Sequence, residues 1–374
     1  MHRTYIFAFC FLMILSVSHT QENTITITRI ATNLLNPRGV AVMPDGRLLV
    51  AEVGTGYVSG NPADNTGRLS IFEDVNQDGD YDDAGERTPL LEQLPGYNIL
   101  YQFQPGRDEI VGIGDVLVLD NGFIYFTLDD NFEVLSIVEL TPEFERTGNL
   151  YVSNGSLNSI AYDPITEQIF VAESSRNAVS TVLLNGMSET LTTFNMLEHQ
   201  QQAVPSGIAF DPTTGDLLVT LFSGQLWDYH GEVLSFMPGD SKVVRINPRT
   251  GESVDEITGL TTAVDVAVDD AGNLYVVELT VEWAMPTMDT NFDVYAPDAP
   301  PDAGGYARYT GRVTMYPVGG DPVILADGLD QPTNITYHDH KLYISVGQGT
   351  PNRPIWVHGG LTHIIGEIYM IEGI

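Results

Sequence analysis

The sequence predicts an all-β fold: a six-bladed β-propeller with four-stranded antiparallel blades, closed by the N-terminal strand pairing in the last blade. Three observations carry that expectation. One hairpin phrase recurs six times, long amphipathic helical patterns are absent, and glycine and proline fall at turn positions. The first copy is PRGVAVMPDGRLLVAE, Pro37 to Glu52, which reads as strand, Pro-Asp-Gly turn and strand. Near-copies begin at Gly114, Asn158, Ser206, Val264 and Thr333. Aligned on Gly39, Asp115, Ser159, Gly207, Asp265 and Asn334, they are 76, 44, 48, 58 and 69 residues apart. Self-similarity at such a period marks a propeller or solenoid. An isolated hairpin is marginal in water, and both strands here are apolar on both faces, so radial stacking is the arrangement that buries them.

Taken in order, Thr24 to Ile30 alternates cleanly and reads as the closing strand. In the first blade, strands a to d are expected at Gly39–Met43, Arg47–Glu52, Arg68–Glu73 and Thr88–Leu94. Later third strands begin at Glu133, Ala178, Lys242 and Arg312, and fourth strands at Glu189 and Pro322. The chain finishes on a strand from Gly366. Residues 24–374 are therefore read as one propeller domain. Small residues in the third position of strand a (Ala41, Ala161, Ala209, Ala267) suit close packing near an axis.

This topology sorts loops onto two rims. The b–c loops and d–a crossovers share one, and the a–b and c–d loops share the other. Long insertions fall on the first: Val53–Gly67, Phe222–Ser241, Leu279–Gly311 and Gly347–Ile365, with the crossover Pro95–Ile113. Long loops on a rigid scaffold are where binding resides. Aromatic residues crowd there: Tyr57, Tyr97, Tyr101, Phe103, Trp227, Tyr229, Trp283, Phe292, Tyr295, Tyr306 and Tyr309. They suit a planar or apolar ligand, a protein partner, or a small core belonging to the loops themselves.

Residues 1–18 read as a secretory signal: a basic start, a short apolar run from Tyr5 to Leu15, and small residues Ser16 and Ser18 at a cleavage site. An extracytoplasmic protein, secreted or periplasmic, is expected, with no membrane insertion after signal removal. Cys10, the single cysteine, lies in that segment, which excludes disulfide and thiolate-metal chemistry in the mature chain. The net charge is −34, with two lysines, Lys242 and Lys341. That excludes nucleic acid as a partner and favours cations or neutral ligands.

Two constellations carry candidate chemistry. The first is axial: Asp115, Asn158, Asp265 and Asn334 open strand a, while Glu52, Glu173 and Glu278, with Asp129 one step further on, close strand b. Oxygen ligands in that number suit Ca²⁺, which would polarise an ester or lactone; the same groups also cap strand ends by hydrogen bonding. The second is Asp74, Asn76, Asp78, Asp80, Asp83 and Glu86, with Gly79 at the sixth position, the start of a calcium loop. Gly85 stands at the twelfth position, so Asp83 or Glu86 must close the shell; the alternative is a solvated acidic turn. This loop joins strands c and d on the far rim, which points to stabilisation. Among the histidines, His199, His230, His358 and His363 lie on the loop-rich rim, where one would serve as a general base. His338 and His340 lie on the far rim.

The stretches NPRGVAVMPDGRLLVAEVGTG, AVPSGIAFDPTTGDLLVT, AVDVAVDDAGNLYVVELT and GRVTMYPVGGDPVILADGL resemble the ScyD/ScyE family of secreted propellers, first named from scytonemin gene clusters. The resemblance covers most of the mature chain and implies the fold without implying a reaction. The hairpin phrase is also similar to NHL repeats and to six-bladed lactonase and glucose/sorbosone dehydrogenase propellers. Calcium lactonases use a Glu, Asn and Asp ring, for which Asn158 and Asp265 match, but Pro37-Arg38-Gly39 stands where an acid is wanted. No histidine opens a strand a, and an acidic rim opposes a trianionic quinone, so the dehydrogenase reading ranks last. The expected function is a calcium-stabilised binding or scaffold protein that takes a small molecule or an extracytoplasmic protein on the loop-rich rim. The alternative is a calcium-dependent lactonase or esterase at the central channel.

Overall fold

Strand b reads as an unbroken apolar run because both its faces are covered. Leu48–Glu52, Leu217–Leu221 and Leu274–Glu278 are buried at every position. Strand d, at the outer edge, is mostly exposed, as in Ser188–Thr193 and Ser253–Leu260. The computed structural model describes residues 24–57, 61–98, 108–130, 134–224, 236–282, 306–357 and 360–374. The signal segment 1–18, Cys10, His230, His358, Tyr101, Phe103, Trp227, Tyr229, Trp283, Phe292 and Tyr295 lie outside the described residues.

The strands form six four-stranded antiparallel sheets. Blade one is Pro37–Val42, Leu48–Glu52, Gly67–Phe72 and Arg87–Leu94. Blade two runs from Ile113–Val118 to Arg146–Ser153, and blade three from Leu157–Asp163 to Ser188–Thr193. Blade four runs from Pro205–Phe210 to Ser253–Leu260, and blade five from Ala263–Val268 to Val323–Leu329. Blade six takes strands a to c from Asn334–His338, Lys341–Val346 and Gly366–Glu372. Its strand d is Thr26–Leu34, which pairs antiparallel with Gly366–Glu372, Ile27 opposite Ile371. The closure expected from the two chain ends is therefore the one observed. That strand reaches four residues further than its alternating pattern, because bulges between Arg29 and Leu34 break the alternation without ending the pairing.

The cores lie between blades rather than on the axis. Leu49, Leu69, Val116 and Phe126 join blades one and two; Leu48, Phe72, Tyr343 and Ile368 join blades six and one across the closure. Each such side chain contributes about 1.5–3 kcal/mol. Two rim loops hold short pairings of their own that strand periodicity did not reveal: Tyr97–Asn98 with Ile110–Val111, and Pro354–Val357 with Gly360–His363. Strands of two and four residues are too short to show a period, and buried Tyr97, Ile110 and Ile355 anchor them. Among the described residues, no helix is long and apolar enough to cross a membrane.

Candidate functional site

On the axis, strand a of each blade contributes one position, and four of these, Asp115, Ser159, Asp265 and Asn334, carry side-chain hydrogen bonds to a neighbouring blade. Asp115 Oδ1 accepts from its own neighbour Val116 N (2.9 Å), and Oδ2 accepts from Ser159 Oγ (2.6 Å) and Ile160 N (3.1 Å) of blade three. Asp265 repeats the pattern with Val266 N (2.9 Å), and with Asn334 Nδ2 (2.9 Å) and Ile335 N (2.9 Å) of blade six. Ser159 Oγ then accepts from Ile208 N of blade four (3.3 Å), and Asn334 Oδ1 from Val40 N of blade one (3.2 Å). The ring is two copies of one three-blade pattern, Gly39-Asp115-Ser159 and Gly207-Asp265-Asn334. Glycine opens each half for a steric reason. A Cβ on Gly39 would lie 2.7 Å from Val116 N, and one on Gly207 would lie 2.3 Å from Asp265 Oδ1. Asn334 Nδ2 also reaches Asp115 Oδ1 at 3.3 Å, tying the two halves together.

Burial pushes both carboxyls up from the usual range, and Asp265 rises furthest because negative Asp115 adds to its burial. Every carboxylate oxygen of the pair already faces an N–H or O–H donor. A cation would have to share those oxygens with the same donors, so the donor set fits a hydrogen-bonded ring better than a metal. The other axial candidates stand apart from it. Asn158 supplies its main-chain carbonyl to Thr127 Oγ1 (3.1 Å). Glu52 is held by Arg68 (2.7 and 2.8 Å) and Leu35 N (2.7 Å), and Glu173 by Arg176, Tyr151, Ser153 and Ser180. Glu278 takes Thr261 N (2.7 Å), and Asp129 takes Tyr97 Oη (3.1 Å).

The acidic c–d loop of blade one assembles differently. Asp74, Asp78 and Glu86 bring one carboxylate oxygen each within 4.8 Å of one another. Glu86 is buried and accepts Val75 N (3.2 Å) and Asp83 N (3.0 Å), so its carboxylate faces into the loop, whereas Asp83 is outside the three-carboxylate group. Asn76 Nδ2 bridges Asp78 (3.0 Å) and Asp83 (2.6 Å), and Asp80 Oδ1 accepts Asp82 N (2.9 Å). Gly79 holds φ +94° with open space around it, so backbone conformation is what requires glycine there. Three converging carboxylates and a side-chain amide are the hard oxygen donors that suit Ca²⁺.

On the loop-rich rim the structure reveals a buried ionic network that the sequence reading missed. Arg308 pairs with Asp330 (2.8 and 2.7 Å) and donates to Gln348 O (2.8 Å). Arg353 pairs with Asp108 (2.8 Å), whose carboxylate also accepts Thr350 N, Thr350 Oγ1 and Asn98 Nδ2. Burial works to raise Asp108, but Arg353 and the Thr350 donors outweigh it and hold its carboxyl below the usual range. These residues come from the crossover into blade two, the b–c loops of blades five and six, and the crossover between them. Partners up to 245 residues apart left no local signal. Elsewhere on this rim, His199 Nδ1 meets Asp240 Oδ1 at 2.6 Å, and His363 is exposed on its hairpin. His338 and His340 sit on the far-rim turn, His340 edge-on to Tyr337.

No protein-family model matches the chain, and no curated protein matches it. Solved structures do. A candidate gluconolactonase is 13% identical, with a TM-score of 0.52 over 93% of this chain and 92% of its own. A streptogramin B lyase is 12% identical, with a TM-score of 0.51 over 93% and 97%. A protein of unknown function from Bacteroides thetaiotaomicron is 11% identical, with a TM-score of 0.54 over 93% and 76%. At these identities the likeness is one of fold.

Proposed function

We propose that this protein is an exported propeller that binds a neutral small molecule or an extracytoplasmic protein on its loop-rich rim, with calcium held in the Asp74 loop for stability. The buried network of Arg308, Asp330, Arg353 and Asp108 carries the reading, because it ties described residues of two b–c loops and two crossovers to one another on that rim. Pre-organisation lowers the ordering cost of binding. The strongly negative chain favours neutral or cationic ligands over nucleic acid. Residues 1–18 supply the export signal, and the ScyD/ScyE group is the finer family reading.

The axial lactonase alternative ranks below this one, since the oxygens of Asp115 and Asp265 already receive donors from the ring. In the Asp74 loop, Asp74, Asp78 and Glu86 would hold calcium, with Asn76, Asp80 and Asp83 around them. A melt with calcium and with EDTA tests this part. At calcium one hundred times Kd, binding stabilises by about 2.7 kcal/mol. The expected result is a lower Tm in EDTA, restored by calcium and absent in an Asp74→Asn, Asp78→Asn double variant. An unchanged melt rejects calcium at this loop.

A further inference from the structure

We propose that His199 and Asp240 form a proton-transfer dyad on the rim of blade four, able to promote attack of water on small uncharged esters or lactones. This goes beyond binding and uses residues distinct from the axial ring. His199 lies in the crossover between Ser188–Thr193 and Pro205–Phe210, and Asp240 immediately precedes strand Ser241–Ile246. Both segments belong to the loop-rich rim. The Asp240 side chain is 3% exposed, while that of His199 is 54% exposed. Asp240 Oδ1 takes His199 Nδ1 at 2.6 Å, and Oδ2 takes His199 N at 3.1 Å. One carboxylate thus fixes the ring and the main chain together. It favours the tautomer with the proton on Nδ1, leaving Nε2 as a base. Among the described residues, no serine or cysteine hydrogen-bonds to His199, so the reactant this dyad would activate is water.

The turn that carries His199 is closed by main-chain hydrogen bonds, Gln200 N to Leu197 O (3.0 Å) and Leu197 N to Gln201 O (2.8 Å). Gln200, Val204 and Ser223 hold φ values of +63°, +49° and +68°. A β-branched valine in that region is a true outlier, and such conformations concentrate at functional sites. Val204 is held by Asn177 Oδ1 (2.9 Å) and packs with Phe222, Phe236, Leu279 and Tyr306. In the same strip, Gln201 Oε1 and Ser223 Oγ are buried with no hydrogen-bond partner among the described residues.

The substrate class follows from charge. Asp240 and Glu198 are the charged groups acting on His199, and the whole chain is strongly negative. Anionic substrates are repelled, and uncharged esters are not. In the step, Nε2 removes a proton from water as the water oxygen bonds to the carbonyl carbon, and the C=O pair moves onto oxygen. When that pair returns, the C–O bond to the leaving group breaks and the Nε2 proton passes to the departing oxygen. The products are a carboxylic acid and an alcohol, and the dyad is restored.

The test uses the full mature chain with p-nitrophenyl acetate and dihydrocoumarin as probes. Wild type is expected to exceed the buffer rate on both. His199→Gln, at an exposed ring, is expected to fold normally and to lose about 100-fold or more of that rate. Asp240 is a positioning residue that raises the histidine's pKa. Asp240→Asn should therefore lower the rate and move the lower limb of the rate–pH profile to lower pH. Wild type at the buffer rate, a His199→Gln variant as fast as wild type, or an unmoved Asp240→Asn profile each overturns the proposal. Where Asp240→Asn fails to fold, His199→Gln decides alone.

Discussion

Asp115 and Asp265 converge on the axis, and their donors are amides, a serine hydroxyl and Asn334. Two buried negative charges this close disfavour each other, and burial disfavours both. The consequence is a pH dependence whose sign is fixed. A carboxyl with a raised folded pKa gives stability that is full below its unfolded pKa, about 3.9, and is lost as pH rises through the folded value. Asp265→Asn removes that titration while keeping one acceptor oxygen. The stability of wild type relative to this variant is expected to fall as pH rises above about 4 and to level off once pH passes the raised folded pKa, by about 1.4 kcal/mol for each pH unit that separates the folded pKa from the unfolded one. Urea melts of both proteins across that range measure the difference, in which carboxyls remote from the pair cancel and the relief of Asp115 is included. A constant difference would show that the pair is not strained by charge. The two glycines of the ring belong to the same logic, since alanine at Gly39 or Gly207 drives a Cβ into the blade that carries the aspartate.

At the scale of elements, the acidic loop of blade one grips the strand that closes blade six. Tyr81 N donates to Ile30 O (2.8 Å), and Thr32 N donates to Asp82 Oδ1 (2.9 Å). Arg87 ties both sides, reaching Tyr81 O (2.6 Å) and Thr32 O (3.0 Å) and lying over Phe72. The bulges between Arg29 and Leu34 free these backbone groups from the ladder and turn them toward the loop. Loop and closing strand are therefore mechanically joined. Chelation is expected to speed amide exchange at Ile30 to Leu34 while the centre of blade three, Gln168–Glu173, keeps its protection. Equal change at both places would mean global destabilisation rather than a local grip. The gathering of carboxylates in this loop was legible in the sequence because Asp74, Asp78 and Glu86 lie within thirteen residues. The hairpins were legible for the same reason, since Val40 and Val50 face each other across a single turn. The Arg308–Asp330 and Arg353–Asp108 pairs were not, because isolated charged residues in long loops give no period and no motif. Nor did spacing alone reveal that Asn334 reaches Asp115 across the axis.

The whole molecule depends on a strand that is remote in sequence from its partners. Thr26–Leu34 and Gly366–Glu372 complete blade six, and they also complete the core between blades six and one through Ile30, Leu34 and Ile368. A ring with this strand in place keeps strand c of blade six off the edge. Without it, Gly366–Glu372 becomes an unpaired edge carrying Ile368 and Ile371, which are fully buried in the intact ring. An exposed apolar edge of that kind recruits other chains. A mature chain lacking residues 24–34 is expected to lose monomeric behaviour on size-exclusion chromatography with light scattering, and to melt well below the intact protein. A synthetic peptide of residues 24–36 should restore the monomer, because the backbone pairing, the short apolar strip and the hydrogen bonds to the acidic loop that are missing all come from that segment. A truncated chain that stays monomeric with an unchanged melt would mean that closure is held by the a–c strands of blade six, leaving its fourth strand without a structural role.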